Sequence, residues 1–218
     1  MKPSVLLILF LMLIFSKVQS QSFHAGFIGG ATITDVAGVD LTDSDNDFHK
    51  LGFSLGGLVN HKIGKSSLMQ MEIAYIQKGS SQSYDSIYIP YTLSLNYIDV
   101  SLLLKHGLKF SFMKRPVDRL GVEAGFTVGT PFKSTYYFNG IEYPAVMSKF
   151  DLELLAGMYY NFTPGFYMSL RYSNSIIHAI PHQSNFINIY PYSTFQKGNN
   201  LVFQITLGLV LKNEKNDN

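Results

Sequence analysis

Residues 120–129 read LGVEAGFTVG, and large apolar side chains alternate in this stretch with glycine, glutamate and threonine. A period of two is typical of a β-strand, because successive side chains point to opposite faces of the sheet. The solvated face of a soluble sheet would favour Thr, Lys and Glu, whereas the narrow interior of a small barrel needs small residues. The stretch therefore predicts a strand of a membrane barrel, with apolar side chains toward lipid and small or polar side chains toward the lumen.

The same alternation recurs at about eight places along the chain. The predicted strands lie around residues 23–31, 51–59, 69–75, 97–104, 120–129, 150–160, 166–173 and 201–211. Glycines fall repeatedly on their polar faces, at Gly26, Gly30, Gly52, Gly56, Gly121, Gly125, Gly129, Gly157 and Gly208. The predicted fold is all-β, an eight-stranded antiparallel up-and-down transmembrane β-barrel. A secreted β-sandwich is the alternative.

The composition excludes several kinds of site and gives no sign of a nucleic-acid partner. The chain has 218 residues, of which 46% are hydrophobic and 15% charged, with neither cysteine nor tryptophan. The lack of cysteine excludes a disulfide scaffold, a thiolate zinc site and cysteine catalysis. A net charge of +2 gives no sign of a nucleic-acid partner, whose binders carry a marked basic patch.

The N-terminus has the form of a secretory signal. Lys2 precedes an unbroken apolar run over residues 5–15, which is too short for a membrane helix, and the segment ends in Val18-Gln19-Ser20. We expect a signal peptide over residues 1–20 with cleavage before Gln21, a barrel over residues 21–212 and a polar tail over residues 213–218. Cleavage would remove two lysines and leave a mature chain with no net charge.

The predicted connections alternate in length. Segments 34–49, 79–91, 131–148 and 178–198 are long, and segments 61–66, 111–118 and 161–165 are shorter. Outer-membrane barrels have long extracellular loops and short periplasmic turns. The pattern and the even number of strands predict an integral outer-membrane barrel with both termini periplasmic.

Residues 95–105 read LNYIDVSLLLK. This segment resembles the PorT-like outer-membrane β-barrel family of Bacteroidetes, whose members carry a segment of the form LNYLEVPLLLK. The likeness continues in Gln77-Lys78-Gly79, in residues 120–129 and in residues 169–173, and it spans the mature chain. The resemblance implies an eight-stranded barrel, integral to the outer membrane of a Gram-negative bacterium. Ser101 stands where the family usually has proline.

Polar side chains are predicted inside the barrel, near the middle of their strands. They are Glu72, Asp99, Glu123, Glu153 and Arg171, with Gln70 and Gln204 beside them. An eight-stranded barrel is just wide enough for side chains to fill, so charged groups in it must pair. The expected result is a polar plug in which Arg171 bridges two or more carboxylates. A gated ion or proton path is the alternative.

The sequence offers no convincing catalytic or metal site. Residues 171–174 read RYSN and look superficially like the His-x-Ser-Asn core of lipid A deacylases, but arginine stays protonated and cannot act as a general base. His178 and His182 are separated by Pro181, and Asp43 to Asp47 lack the glycine and glutamate of a calcium-binding hand. We therefore predict no enzyme activity, no metal and no cofactor.

Tyrosines are concentrated in the predicted loops, and they have two interpretations. They can form the interfacial girdle of the barrel, together with Tyr75, Tyr160 and Tyr172, or they can form a recognition surface. The candidates for recognition are Tyr84, Tyr88, Tyr136, Tyr137, Tyr190 and Tyr192.

The predicted function is that of a non-enzymatic outer-membrane barrel with a structural, adhesive or complex-subunit role. The expected partners are outer-membrane lipids, an extracellular or periplasmic protein, and the barrel assembly machinery during biogenesis. The alternatives are a narrow porin or ion channel and, less favoured, a lipid-modifying enzyme.

Overall fold

A computed structural model describes residues 23–37, 50–82, 91–108, 119–138, 141–144, 147–179 and 198–211. The signal peptide, the polar tail, Asp43 to Asp47, His182 and the tyrosines at positions 84, 88, 190 and 192 lie outside these residues. The strands are β1 Phe23–Ala37, β2 Lys50–Lys62, β3 Ser67–Gln82, β4 Tyr91–Gly107, β5 Leu120–Phe138, β6 Ile141–Pro144, β7 Asp151–Thr163, β8 Phe166–Ser175 and β9 Asn199–Val210.

Eight of these strands form one closed antiparallel sheet. The first strand pairs with the last along Gly26–Ala37, and β4 pairs with β5, so the order β4-β3-β2-β1-β9-β8-β7-β5 returns to its start. Closure satisfies the backbone groups that an open sheet would leave unpaired in lipid. The predicted fold is confirmed. None of the described residues forms a helix long and apolar enough to cross a membrane.

The outer surface of the barrel is apolar, as the alternation predicts. The exposed side chains on it include Phe27, Leu51, Leu55, Met71, Ile73, Val100, Leu104, Phe126, Leu154, Met158, Phe203 and Leu209. Tyr75 lies between Phe53 and Phe132, with ring centroids 5.3 and 6.0 Å away. These aromatic rings lie toward the end of the barrel where β1 ends and β2 begins, which we call the loop end. The opposite end, where β1 begins and β9 ends, is the termini end.

The segment predicted as a loop over residues 131–148 contains two stretches of strand. Strand β5 is 19 residues long, and beyond its bulge it forms a hairpin with the short β6. In the bulge, Pro131 pairs with Tyr97 and Lys133 pairs with Asn96, so Phe132 is an extra residue and the inward-facing parity of β5 changes. The run of alternating apolar residues ends before this point, which is why the sequence alone did not predict the extension.

Inward-facing glycines make room for tyrosine rings. A Cβ atom on Gly121 would collide with the ring of Tyr159, and one on Gly208 would collide with the ring of Tyr167. Because both rings are almost fully buried, they fill the lumen where the glycines leave it open. Glycine on the polar face of a strand is therefore a packing requirement in this barrel.

The loop end of the lumen is filled by an apolar layer that was not predicted. Its buried members are Val36, Ile76, Leu93, Leu95, Tyr97, Tyr136 and Val202. Leu95 and Tyr97 have no solvent exposure. The lumen therefore closes on side chains from several strands before it reaches the loops.

Candidate functional site

All seven polar residues that the sequence assigns to the lumen are buried on the inward face of the barrel. They are Gln70, Glu72, Asp99, Glu123, Glu153, Arg171 and Gln204, and none is more than 8% exposed. They form two charged clusters rather than one network, while Gln204 lies apart and donates a hydrogen bond to Ser54 Oγ at 2.8 Å.

The first group, the arginine cluster, consists of Arg171, Glu72, Glu123, Lys105 and Gln70. Arg171 donates to both oxygens of Glu72 at 2.7 Å, and its Nε donates to Glu123 Oε1 at 2.7 Å. Lys105 Nζ lies 3.0 Å from Glu123 Oε2. Two cations thus face two carboxylates, and the bidentate geometry on Glu72 is the strongest form of such a pair.

Aromatic rings cover the arginine cluster on the termini side. Lys105 Nζ lies 3.7 Å from the centroid of the Tyr167 ring and 4.5 Å from that of Tyr159. Gln70 donates to Tyr167 Oη at 3.0 Å and also contacts Glu72. Ring faces attract an ammonium group, so the two tyrosines stabilise Lys105, which is only 2% exposed.

The second group, the lysine cluster, lies nearer the loop end and consists of Lys78, Asp99, Glu153, Asp151 and Asn200. Lys78 Nζ is fully buried, contacts Glu153 and lies 2.9 Å from Asp99 Oδ2. Asn200 donates to Asp151 Oδ2 at 2.7 Å. Lys78 also lies 4.5 Å from the centroid of the Tyr97 ring, which joins this cluster to the apolar layer.

Hydroxyl groups complete the lysine cluster. Ser173 donates to Glu153 Oε2 at 2.7 Å, and Ser175 donates to Asp151 Oδ2 at 3.0 Å. These donors come from the same face of β8 as Arg171, so one strand contributes to both clusters. A buried carboxylate needs such donors because removal from water is costly.

Three charged members of the clusters were missed from sequence, namely Lys78, Lys105 and Asp151. Lys78 and Lys105 lie at the ends of the alternating runs, where the predicted strands stop, whereas β3 and β4 continue to Gln82 and Gly107. The alternation could have placed both lysines in the lumen, because Lys78 lies on the same strand face as Glu72 and Lys105 lies on the same strand face as Asp99. With them, the two clusters together hold three cations and five carboxylates.

The space between the two clusters is small. A void of about 20 Å³ is lined by Glu72 and Arg171 on one side and by Asp99 and Glu153 on the other. This volume is enough for about one water molecule. It is therefore too small for a hydrated ion.

A larger cavity opens at the termini end, which we call the termini-end cavity. Its volume is about 530 Å³, and its floor is formed by Gln70, Lys105, Tyr159 and Tyr167. His24, Lys62 and Arg119 also line it, whereas no Asp or Glu is among its described lining residues. The cavity ends at the arginine cluster and does not continue into the small void.

Two of the six loop tyrosines fall within the described residues, and they differ in exposure. Tyr136 is only 8% exposed, and its ring centroid lies 6.1 Å from that of Tyr91, so it belongs to the apolar layer rather than to a displayed surface. Tyr137 is 41% exposed and donates to Glu142 Oε2 at 3.1 Å. The hydrogen bond raises the pKa of Tyr137, because it favours the neutral phenol beside a carboxylate.

A serine–histidine contact also occurs on the outer face at the termini end. Ser67 Oγ lies 2.8 Å from His106 Nδ1. No carboxylate in the described part of the chain hydrogen-bonds to His106, so the pair lacks the orienting third member of a hydrolytic triad. Within the same residues, no group of three or more His, Asp or Glu could hold a metal ion.

Comparison with known proteins identifies the family. The sequence model of the family described as "outer membrane protein beta-barrel domain" matches residues 19–180. The chain belongs to this family. Membership implies integral localisation in the outer membrane, in agreement with the apolar outer face of this outer-membrane barrel.

Two solved structures are similar to this chain, and the first of them supports the fold. The attachment invasion locus protein Ail of Yersinia pestis has 12% sequence identity and a TM-score of 0.51, over 86% of this chain and 98% of Ail. Neisserial surface protein A has 11% identity and a TM-score of 0.47, over 88% of this chain and 99% of that protein. No curated protein sequence matches the chain. At these identities, the likeness concerns the fold alone.

Proposed function

We propose that this outer-membrane barrel is a closed, non-enzymatic scaffold that presents its loop end to a partner, in an adhesive or complex-subunit role. The observation that carries the proposal is the obstructed lumen. The arginine cluster, the lysine cluster and the apolar layer follow one another along the axis, and the void between the clusters measures only about 20 Å³. A barrel filled in this way acts through its surfaces.

The β5–β6 hairpin supports a role in recognition. It extends the sheet beyond the last β5–β7 pair, Gly129 and Asp151, and it exposes Tyr137 and Ile141. Exposed aromatic side chains are common anchors of protein interfaces. The buried Tyr136 packs in the apolar layer, so the hairpin that carries these side chains is anchored to the barrel.

The orientation and lineage form part of the proposal. The short β7–β8 turn at the termini end, together with the long connections at the other end, supports periplasmic termini. The segment LNYIDVSLLLK at residues 95–105 supports a place in the PorT-like branch of Bacteroidetes, and residues 1–20 support export by a cleaved signal peptide. Ser101 stands where that family usually has proline. At this position β4 pairs with β3 without a shift of register, and Ser101 Oγ lies 2.7 Å from Thr127 Oγ1.

Photo-crosslinking from the hairpin tests the proposed role. With a photo-crosslinking amino acid in place of Ile141, native outer membranes should yield one discrete protein adduct. Tyr137→Ala should reduce its yield by about tenfold or more, because an aromatic anchor contributes strongly to an interface. The matched control carries the crosslinker in place of Leu104, which faces lipid. If Ile141 and Leu104 gave the same products, the recognition role would be wrong.

A narrow channel is the second candidate, and one observation favours it. The lysine cluster has three carboxylates and one ammonium group, and Asp99 Oδ1 and Asp151 Oδ1 have no donor among the described residues. Carboxylate oxygens without donors are typical of sites that pass or hold cations. The apolar layer beyond this cluster opposes conduction.

A further inference from the structure

The described charged residues and histidines at the termini end of the barrel share one electrostatic character. Beyond the arginine cluster toward this end, the described side chains of Asp, Glu, Lys, Arg and His are all basic. They are His24, His61, Lys62, Lys65, His106 and Arg119. The described residues at the loop end, by contrast, include both signs, with Asp35 and Glu142 as well as Lys133 and Lys149. Among the described residues, basic side chains without acidic ones are therefore found beyond the arginine cluster at the termini end only.

Basic side chains from several strands face into the cavity. His24 lies on β1, Lys62 on β2 and Lys105 on β4, and Arg119 directly precedes β5; all four line the cavity and occupy inward-facing positions. A ligand in contact with them enters from the aqueous opening of the barrel and not from the lipid-facing side.

Two of these cations have no paired carboxylate within the described part of the chain. Lys105 is paired with Glu123. Lys62 and Arg119 are exposed, and neither forms an ion pair with a described carboxylate. Asn60 and Asn161 add amide donors to the lining. Among the described residues, the cavity therefore presents two positive charges without a paired carboxylate, and several hydrogen-bond donors, around a concave space.

We propose that the termini-end cavity binds the phosphate group of a small molecule from the aqueous compartment. A phosphate monoester carries about two negative charges and three acceptor oxygens, which match the charges of Lys62 and Arg119 and the nearby amide donors. A carboxylate carries one charge and two oxygens and matches them less well. The volume of about 530 Å³ lies within the usual range for a small-molecule site.

Calorimetric titration tests the site with the complete folded barrel in zwitterionic detergent and inorganic pyrophosphate as the probe. We expect saturable binding with one site per barrel. The double substitution Lys62→Gln and Arg119→Gln should weaken it by about tenfold or more, because hydrogen bonds to charged groups contribute strongly. The matched control is Lys133→Gln with Lys149→Gln, which removes two exposed lysines at the loop end and should leave binding unchanged. Heat-dependent gel mobility verifies that every variant is folded.

Two further measurements, competition by phospholipid and titration with succinate, identify the source and the chemistry of the ligand. Competition by anionic phospholipid in nanodiscs, lost in the Lys62→Gln and Arg119→Gln variant, would assign the bound phosphate to a lipid headgroup and would overturn the proposed small-molecule source. Absence of pyrophosphate binding, binding that both double variants weaken equally, or succinate binding as tight as pyrophosphate binding would overturn the proposal. The proposed scaffold role rests on the closed lumen and not on this cavity. Failure of the phosphate-binding proposal would therefore leave the scaffold role intact.

Discussion

Arg171→Met should lower the free energy of unfolding of the barrel by about 3–5 kcal/mol. The substitution preserves much of the volume of the side chain but removes the guanidinium group that donates to Glu72 and Glu123. Glu123 keeps Lys105 as a partner, whereas Glu72 loses its only ion pair among the described residues. An uncompensated buried carboxylate is the expected cause of the loss. Urea unfolding in lipid vesicles, followed by circular dichroism, measures it.

The geometry also provides a specific rescue. Glu72→Gln in the Arg171→Met background neutralises the one carboxylate that has lost its counter-charge, and it should recover more than half of the loss. Lys149→Met is the matched control, because Lys149 is exposed and should change stability by less than about 0.5 kcal/mol. Equal losses for Arg171→Met and Lys149→Met, or no recovery with Glu72→Gln, would contradict the proposed role of the arginine cluster.

Lys78→Met should destabilise the barrel at least as strongly, again by about 3–5 kcal/mol. Lys78 is the only cation that contacts Asp99 and Glu153 among the described residues, and it has no solvent exposure. Its loss leaves both carboxylates, together with the nearby Asp151, without a positive charge. The same urea titration measures the effect, with the exposed Lys133→Met as the control.

The double substitution Asp99→Asn and Glu153→Gln should restore much of the stability of Lys78→Met, because it removes the charges that Lys78 compensates. In the wild-type background the same double substitution should destabilise, since it leaves the ammonium of Lys78 without its two partners. A Lys78→Met variant as stable as Lys133→Met would show that the lysine cluster is not maintained by this charge.

Much of the fold could be predicted because each strand of a membrane barrel alternates lipid-facing apolar residues with lumen-facing small or polar residues. The alternation at residues 120–129 places Phe126 in lipid and Glu123 in the lumen, as the structure has them. Glycines on the polar faces indicated a narrow interior, and the rings of Tyr159 and Tyr167 occupy the space that Gly121 and Gly208 leave. These features depend on local periodicity, which a single sequence contains.

The remaining features depend on contacts between distant strands. Parity places Arg171 and Glu72 on inward faces, but only the register of five strands brings them together with Glu123 across the lumen. The bulge at Phe132 reverses the parity of β5, so the burial of Tyr136 could not be predicted from alternation. The apolar layer was missed for a similar reason, because most of its buried members lie outside the predicted strands, namely Val36, Ile76, Leu93, Leu95 and Tyr136.

Ion conductance through the reconstituted wild-type barrel tests the central claim most directly. Single-channel recording in planar lipid bilayers should show no steady current above the bare-bilayer level, because two charged clusters and an apolar layer fill the lumen and the void between the clusters is only about 20 Å³. A steady, reproducible conductance of the folded wild-type barrel would contradict the closed lumen and would favour the channel instead.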